Sequence, residues 1–202
     1  QHGISYGRYD PMSDIFDAAW AVSKMPLDYD SIVEDDRGDF RADFIDPKTG
    51  RRYGMTARNR KEYRDFPEET EIAVIAPGKP PRNFALGQFT EVDDKAKDLP
   101  MQEAYRRVGL PPVGTTYPLN IRVNDDMRRR GVASAIYDLM NEIQERRGGK
   151  GLVTQSAALN RTDSLPFWAS ILGRDLPDDI TRIDRSELLR YPSSTERRRE
   201  QN

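Results

Sequence analysis

The run from Ile121 to Asn141 constrains the fold more than any other part of the sequence. Ile121-Arg122-Val123 has strand character, Asn124 to Arg130 is a polar turn ending in three consecutive arginines, and Val132, Ile136, Leu139, Met140 and Ile143 then share one face of a helix. Gly148-Gly149 ends that helix. A strand that turns straight into an amphipathic helix predicts a layered α/β arrangement, with the apolar helix face laid back on a sheet. The turn itself predicts chemistry. The first amides of a helix lack intrahelical acceptors and lie at the positive end of its dipole, so a helix starting beside Arg128, Arg129 and Arg130 can receive an anion. The small residues Gly131 and Ala133 leave room for a phosphate to approach the backbone.

The rest of the chain supplies the sheet. Ile4 to Tyr9 has strand character, and Ser13 caps a helix whose Ile15, Phe16, Ala19, Trp20 and Val22 form an apolar face. Asp28 to Asp39 is acidic and irregular. Phe40, Ala42 and Phe44 alternate with Arg41 and Asp43 before the turn Asp46-Pro47-Lys48-Thr49-Gly50, predicting a hairpin that continues to Arg58. Glu71 to Ala76 is almost continuously apolar, and Pro77 to Pro81 turn it into Asn83 to Val92, a second and more buried hairpin. Asp93 to Gly114 is a long polar connection with a short helical centre over Met101 to Val108, after which Thr115 to Val123 is a strand. Leu152 to Ser156 reads as a strand, Ser164 to Leu172 as a short helix, and Arg174 to Pro192 is only weakly patterned.

A chain of 202 residues is expected to form a single domain over 1–192, with a possible insertion at 28–70 and a polar tail at 193–202. Composition excludes several function classes. Lys plus Arg (32) nearly balance Asp plus Glu (34), so general attraction to nucleic acid or anionic lipid is not expected and any basic function must be local. There is no Cys, which removes disulfides, thiolate metal sites and a Cys nucleophile and fits a reducing, cytoplasmic setting. The single His is His2, near the start, leaving only carboxylates for a metal, so none is expected. No run approaches the ~20 apolar residues of a membrane span. The chain opens at Gln1 rather than Met, and is read as processed or as a piece of a larger polypeptide or assembly.

Arg128, Gly131 and Ala133 fill the three defined places of Q/R-x-x-G-x-G/A, the acyl-CoA-binding pattern of the GNAT superfamily of N-acyltransferases, and the segment over residues 71 to 173 resembles that family in the order of its elements. The resemblance implies a mixed α+β fold with a mostly antiparallel central sheet flanked by helices, and acetyl-CoA as acyl donor. It implies that Arg128, Arg129, Arg130, Gly131, Val132, Ala133 and Ser134 hold the diphosphate. It also implies that the strand before the motif and the next strand splay apart, with the pantetheine arm in the opening against Ile121, Arg122 and Val123. Asn160 resembles the family's Asn beyond the next strand that contacts the arm; as a residue type it serves equally as a helix cap.

Aminolysis of a thioester needs a base for the amine and an acid for the departing thiolate. The strand Thr115 to Val123 has no Asp, Glu or His, so Glu91, at the end of the preceding hairpin, is the preferred base, ahead of Asp125 beside the motif. Where the family often places a Tyr acid this chain has Phe167 and Trp168, so Tyr117, Tyr137, Ser164 or water must substitute. The acceptor is expected to be a small-molecule or protein amine. Absence of the usual acid leaves a second reading open, a GNAT-fold module without catalysis, and the arginine clusters leave a third, local nucleic-acid binding.

Overall fold

Alternation along Phe40-Arg41-Ala42-Asp43-Phe44 puts every second side chain in the core, and each strand of the main sheet repeats the device with its own phase. The protein is seen here as a computed structural model that describes residues 27–60, 69–76, 82–92, 111–155, 164–173 and 188–199. Six strands, β1 (Leu27–Glu34), β2 (Phe40–Ile45), β3 (Arg52–Arg60), β4 (Glu69–Ala76), β5 (Arg82–Glu91) and β6 (Thr116–Val123), form one antiparallel sheet in sequence order. β7 (Val153–Gln155) pairs with β8 (Leu188–Arg190) in a separate two-stranded sheet. Three helices, α1 (Val132–Arg146), α2 (Ser164–Leu172) and α3 (Ser194–Arg199), complete the described fold. The chain is therefore mixed α+β, as expected.

Phe40, Phe44, Met55, Ile72, Val74 and Phe89 line the inner face of the sheet, and α1 covers it with Val132, Ile136, Leu139 and Ile143. The contact is close because β5 carries Gly87, where a Cβ would stand 2.5 Å from Ile136 Cγ2. A cross-strand row Arg41, Thr56, Ala73, Leu86 and Arg122 marks the opposite face.

Four local expectations change. Asp28 to Asp39, read as irregular, contains β1: a register shift between Asp28 and Val33 breaks its alternation, while Leu27, Tyr29 and Ile32 are buried. Residues 28–70, read as a possible insertion, hold β1 to β3, which extend the same sheet edge to edge from β4. The weakly patterned stretch before Pro192 ends in β8. The polar tail is not a free tail over Ser194–Arg199. It is α3, docked on α1 because Arg197 has a partner: its Nε and Nη2 donate to Asp138 Oδ1 and Oδ2 at 2.9 and 3.2 Å, with side chains 1% and 0% exposed. Tyr191 donates its hydroxyl to the same carboxylate at 2.8 Å, and Arg198 lies 4.4 Å over the Tyr29 ring. The expected elements within 4–22 and 101–108 lie outside the described residues.

Candidate functional site

β6 is the strand that positions the site. On one side it pairs with β5 along its length. On the other it meets the segment leading into β7 through a single parallel bridge, Thr116 with Leu152, supported by the Thr116 amide donating to the Gly151 carbonyl at 2.9 Å. β7 pairs with β8 in a separate sheet, and among the described residues no further rung joins it to β6. Beyond Thr116 the outer edge of β6 therefore has no partner strand among the described residues. Within β6, Gln88 opposes Asn120 while Phe89 opposes Pro118, leaving Leu119 as the extra residue of a bulge. A proline lacks the N–H a ladder requires, so Pro118 suits a place where regular pairing lapses.

At its far end β6 passes through a 3-10 turn, Asp125–Met127, into α1. Met127 is buried, which anchors the turn. Arg129 (φ 56°) and Gly131 (φ 76°) are both left-handed, and the backbone between them swings so that α1 begins at Val132. Gly131 holds the N-cap place and no side-chain cap satisfies the first turn. The amides of Val132, Ala133 and Ser134 are thus the ones a helix leaves without intrahelical acceptors. Val132 and Ser134 are buried and Ala133 is half-buried.

The three arginines are not equivalent. Arg128, 55% exposed, places Nε 3.1 Å from Asp125 Oδ1 and 3.4 Å from the Val123 carbonyl. Arg129 is exposed. Arg130 is engaged elsewhere: its Nη1 donates at 2.9 Å to Asp46 Oδ2, a carboxylate with no exposure in the β2–β3 turn. Asp46 also accepts from the Thr49 hydroxyl at 2.7 Å and the Lys48 amide at 3.0 Å. Burial works to raise this carboxyl, and the Thr49, Lys48 and Arg130 donors outweigh it, leaving it below its usual value of 3.8. Arg130 was expected among the phosphate ligands; at least one end of its guanidinium is committed to Asp46.

Ile121 and Val123 turn their side chains inward against the core, and Arg122 turns outward, exposed. Side chains of these three residues thus point to the two faces of the sheet, and the outer edge of β6 here is backbone. Glu91 and Tyr117 stand on successive rungs, Glu91 opposite Thr116 and Tyr117 opposite Thr90, seven and six residues, about 23 and 20 Å of strand, from Val123. Successive rungs send side chains to opposite faces. Exposed Glu91 borders a cleft of about 40 Å³ with Thr116, Gln144 and Arg147, while Tyr117 lies on the other side. Tyr137 is a correction. It is enclosed by Phe89, Phe167, Trp168 and Tyr191, with ring centroids 4.8 to 5.6 Å away, and burial pushes its hydroxyl well above the usual tyrosine value. Position 137 lies on the flank of α1 that faces α2 and β8, so this hydroxyl is a core group, poorly disposed to give up its proton. Asn160 lies outside the described residues.

Sequence reasoning missed Asp46, which is 84 residues from Arg130, and no local pattern could have paired them. Among the described residues no group of three His, Cys, Asp or Glu side chains is placed to hold a metal ion, and no helix is long and apolar enough to cross a membrane. Compared with known protein families, with curated proteins and with solved structures, the chain matches none.

Proposed function

We propose that this chain is an acyl-CoA-dependent N-acyltransferase of the GNAT type, taking acetyl-CoA as donor and a small-molecule or protein amine as acceptor. The observation that carries the reading is the edge of β6, which among the described residues meets the β7 segment only at Thr116 and Leu152, with the Arg128–Gly131 turn and the start of α1 at its other end. A ligand with a diphosphate at one end and an amide-bearing arm at the other matches both features. The α1 amides take the diphosphate, helped by Arg128 and Arg129, and the edge of β6 at Ile121 to Val123, without a partner strand among the described residues, takes the arm. Such an arm runs toward the bulge at Leu119, where the ladder is interrupted. Bound acetyl-CoA supplies the activated thioester; the protein holds it still and removes a proton from the attacking amine, for which Glu91 is the nearest carboxylate along the strand.

Tyr137 favours a second reading, a cofactor-binding module without turnover. Its burial, with Phe167 and Trp168 packed against it, disfavours it as a proton donor to the thiolate. Tyr117 or water must then serve.

One measurement tests the shared claim without a known acceptor. Acetyl-CoA at about 100 times its Kd stabilises the native state by ~2.7 kcal/mol, which raises Tm by ~5–10 °C in a chain of this size. ADP gives a smaller shift because it lacks the arm. No shift and no calorimetric binding with millimolar acetyl-CoA or CoA refutes both readings. Binding without CoA release across a broad panel of amines leaves the second.

A further inference from the structure

The Asp46–Arg130 contact sits oddly beside a site for anions. A buried carboxylate near a diphosphate repels it, so charge attraction gives no reason for Asp46 to be there. Geometry gives one. Arg130 is held between two left-handed residues, and one of them, Arg129, has a Cβ, which disfavours that conformation by ~1–2 kcal/mol. A turn of this kind persists only when its surroundings fix it. Arg130's guanidinium reaches 2.9 Å from a carboxylate that is itself immobilised by Thr49 and Lys48 and has no exposure.

We infer that Asp46 is a positioning residue: through Arg130 it holds the Arg129–Gly131 turn in the conformation that aims the first amides of α1 into the mouth of the β6–β7 opening. The inference rests on the acyl-CoA reading above and adds the β2–β3 hairpin to the working site, a part of the chain that the Arg128–Ala133 motif does not include.

Calorimetric titration with CoA tests it, using wild type, Asp46→Asn, Arg130→Ala, the Asp46→Asn/Arg130→Ala pair, and Arg129→Gly alone and combined with Asp46→Asn. Asparagine keeps the size of Asp46 and can still accept from the Lys48 amide, and each variant's Tm confirms that it is folded. Loss of the clamp lets the turn leave its left-handed conformation, and apparent affinity falls with the competent fraction, by about 5–30-fold. The double variant binds no more weakly than the worse single one, because both remove the same contact. Arg129→Gly, which takes the left-handed conformation at no steric penalty, restores affinity in the Asp46→Asn background relative to its effect in wild type. Removal of a mere repulsive charge has the opposite sign: tighter CoA binding by Asp46→Asn overturns the inference. So do unchanged affinity, or additive losses with no rescue. In those cases wild type still binds CoA and only the role of Asp46 falls; if wild type does not bind CoA, the acyl-CoA reading falls and this inference with it.

Discussion

Replacing Arg197 by Met is expected to destabilise the protein more than any surface charge change. The bidentate contact to Asp138, at 2.9 and 3.2 Å with side chains 1% and 0% exposed, belongs to the buried class, in which removing one partner costs ~3–5 kcal/mol. At ~2–4 °C per kcal/mol, Tm should fall by ~6–20 °C, measured by circular dichroism or calorimetry. Arg52→Ala is the matched control: its pairs with Asp28 and Asp43 are made by a side chain 57% exposed, so its loss should stay within ~1 kcal/mol. The deficit of Arg197→Met also has a pH signature. A carboxylate left buried without its countercharge favours the neutral form, so its folded pKa lies above the unfolded one. The penalty is therefore full at alkaline pH and shrinks as pH falls through the raised value. Asp138→Leu combined with Arg197→Met should lose less than Arg197→Met alone, since no charge is stranded, although the Tyr191 hydroxyl then lacks its acceptor. An Arg197→Met protein melting within ~2 °C of wild type would refute the docking of α3.

Gly131→Glu should abolish CoA binding in a folded protein, because it brings a carboxylate and a side chain strained at φ 76° to the start of α1; calorimetry with CoA reads the loss. Gly87→Ala should lower stability by ~1–3 kcal/mol in a urea melt, since its Cβ lands 2.5 Å from Ile136 Cγ2 in a packed layer. Acid should weaken the fold in a defined direction. Burial works to raise the carboxyls of Asp46 and Glu142, yet donors from Thr49, Lys48 and Arg130, and from Arg146, Arg198 and Ser194, leave both below their ordinary 3.8 and 4.5. Their contributions are therefore complete above those values and lost as pH falls through the lowered ones, and a pH series of melts should flatten above about 5 if only carboxylates are involved.

Sequence legibility followed the range of the interactions. The Phe40–Arg58 hairpin, the apolar β4 and the helix from Val132 were readable because alternation, a Pro-Gly turn and a 3.6-residue period are local. β1 was missed because its bulge shifts the phase between Asp28 and Val33, so Leu27, Tyr29 and Ile32 never form a regular pattern. The docking of α3 was missed because Arg197 looks like one more charge in a polar run until Asp138, 59 residues earlier, comes to meet it. In the candidate site the Arg128–Ala133 turn was legible as a motif, whereas the commitment of Arg130 to Asp46 and the enclosure of Tyr137 depend on tertiary neighbours. Both reassign residue types whose chemistry was read correctly in isolation.

The main sheet is a meander: each of its six strands pairs with the next in sequence, so it can assemble by successive hairpin closures, all but the β5–β6 one, with its long connection over residues 93–114, across short links. The β6–β7 opening is different, because one wall is the last strand of that meander and the other belongs to the small β7–β8 sheet, whose strands are separated by α2. That opening should form late, after the barrier to folding is crossed. A ligand lodged there would then slow unfolding in proportion to its occupancy and leave the refolding rate nearly unchanged. Stopped-flow refolding with and without CoA would show the asymmetry as a shift in only one arm of the chevron.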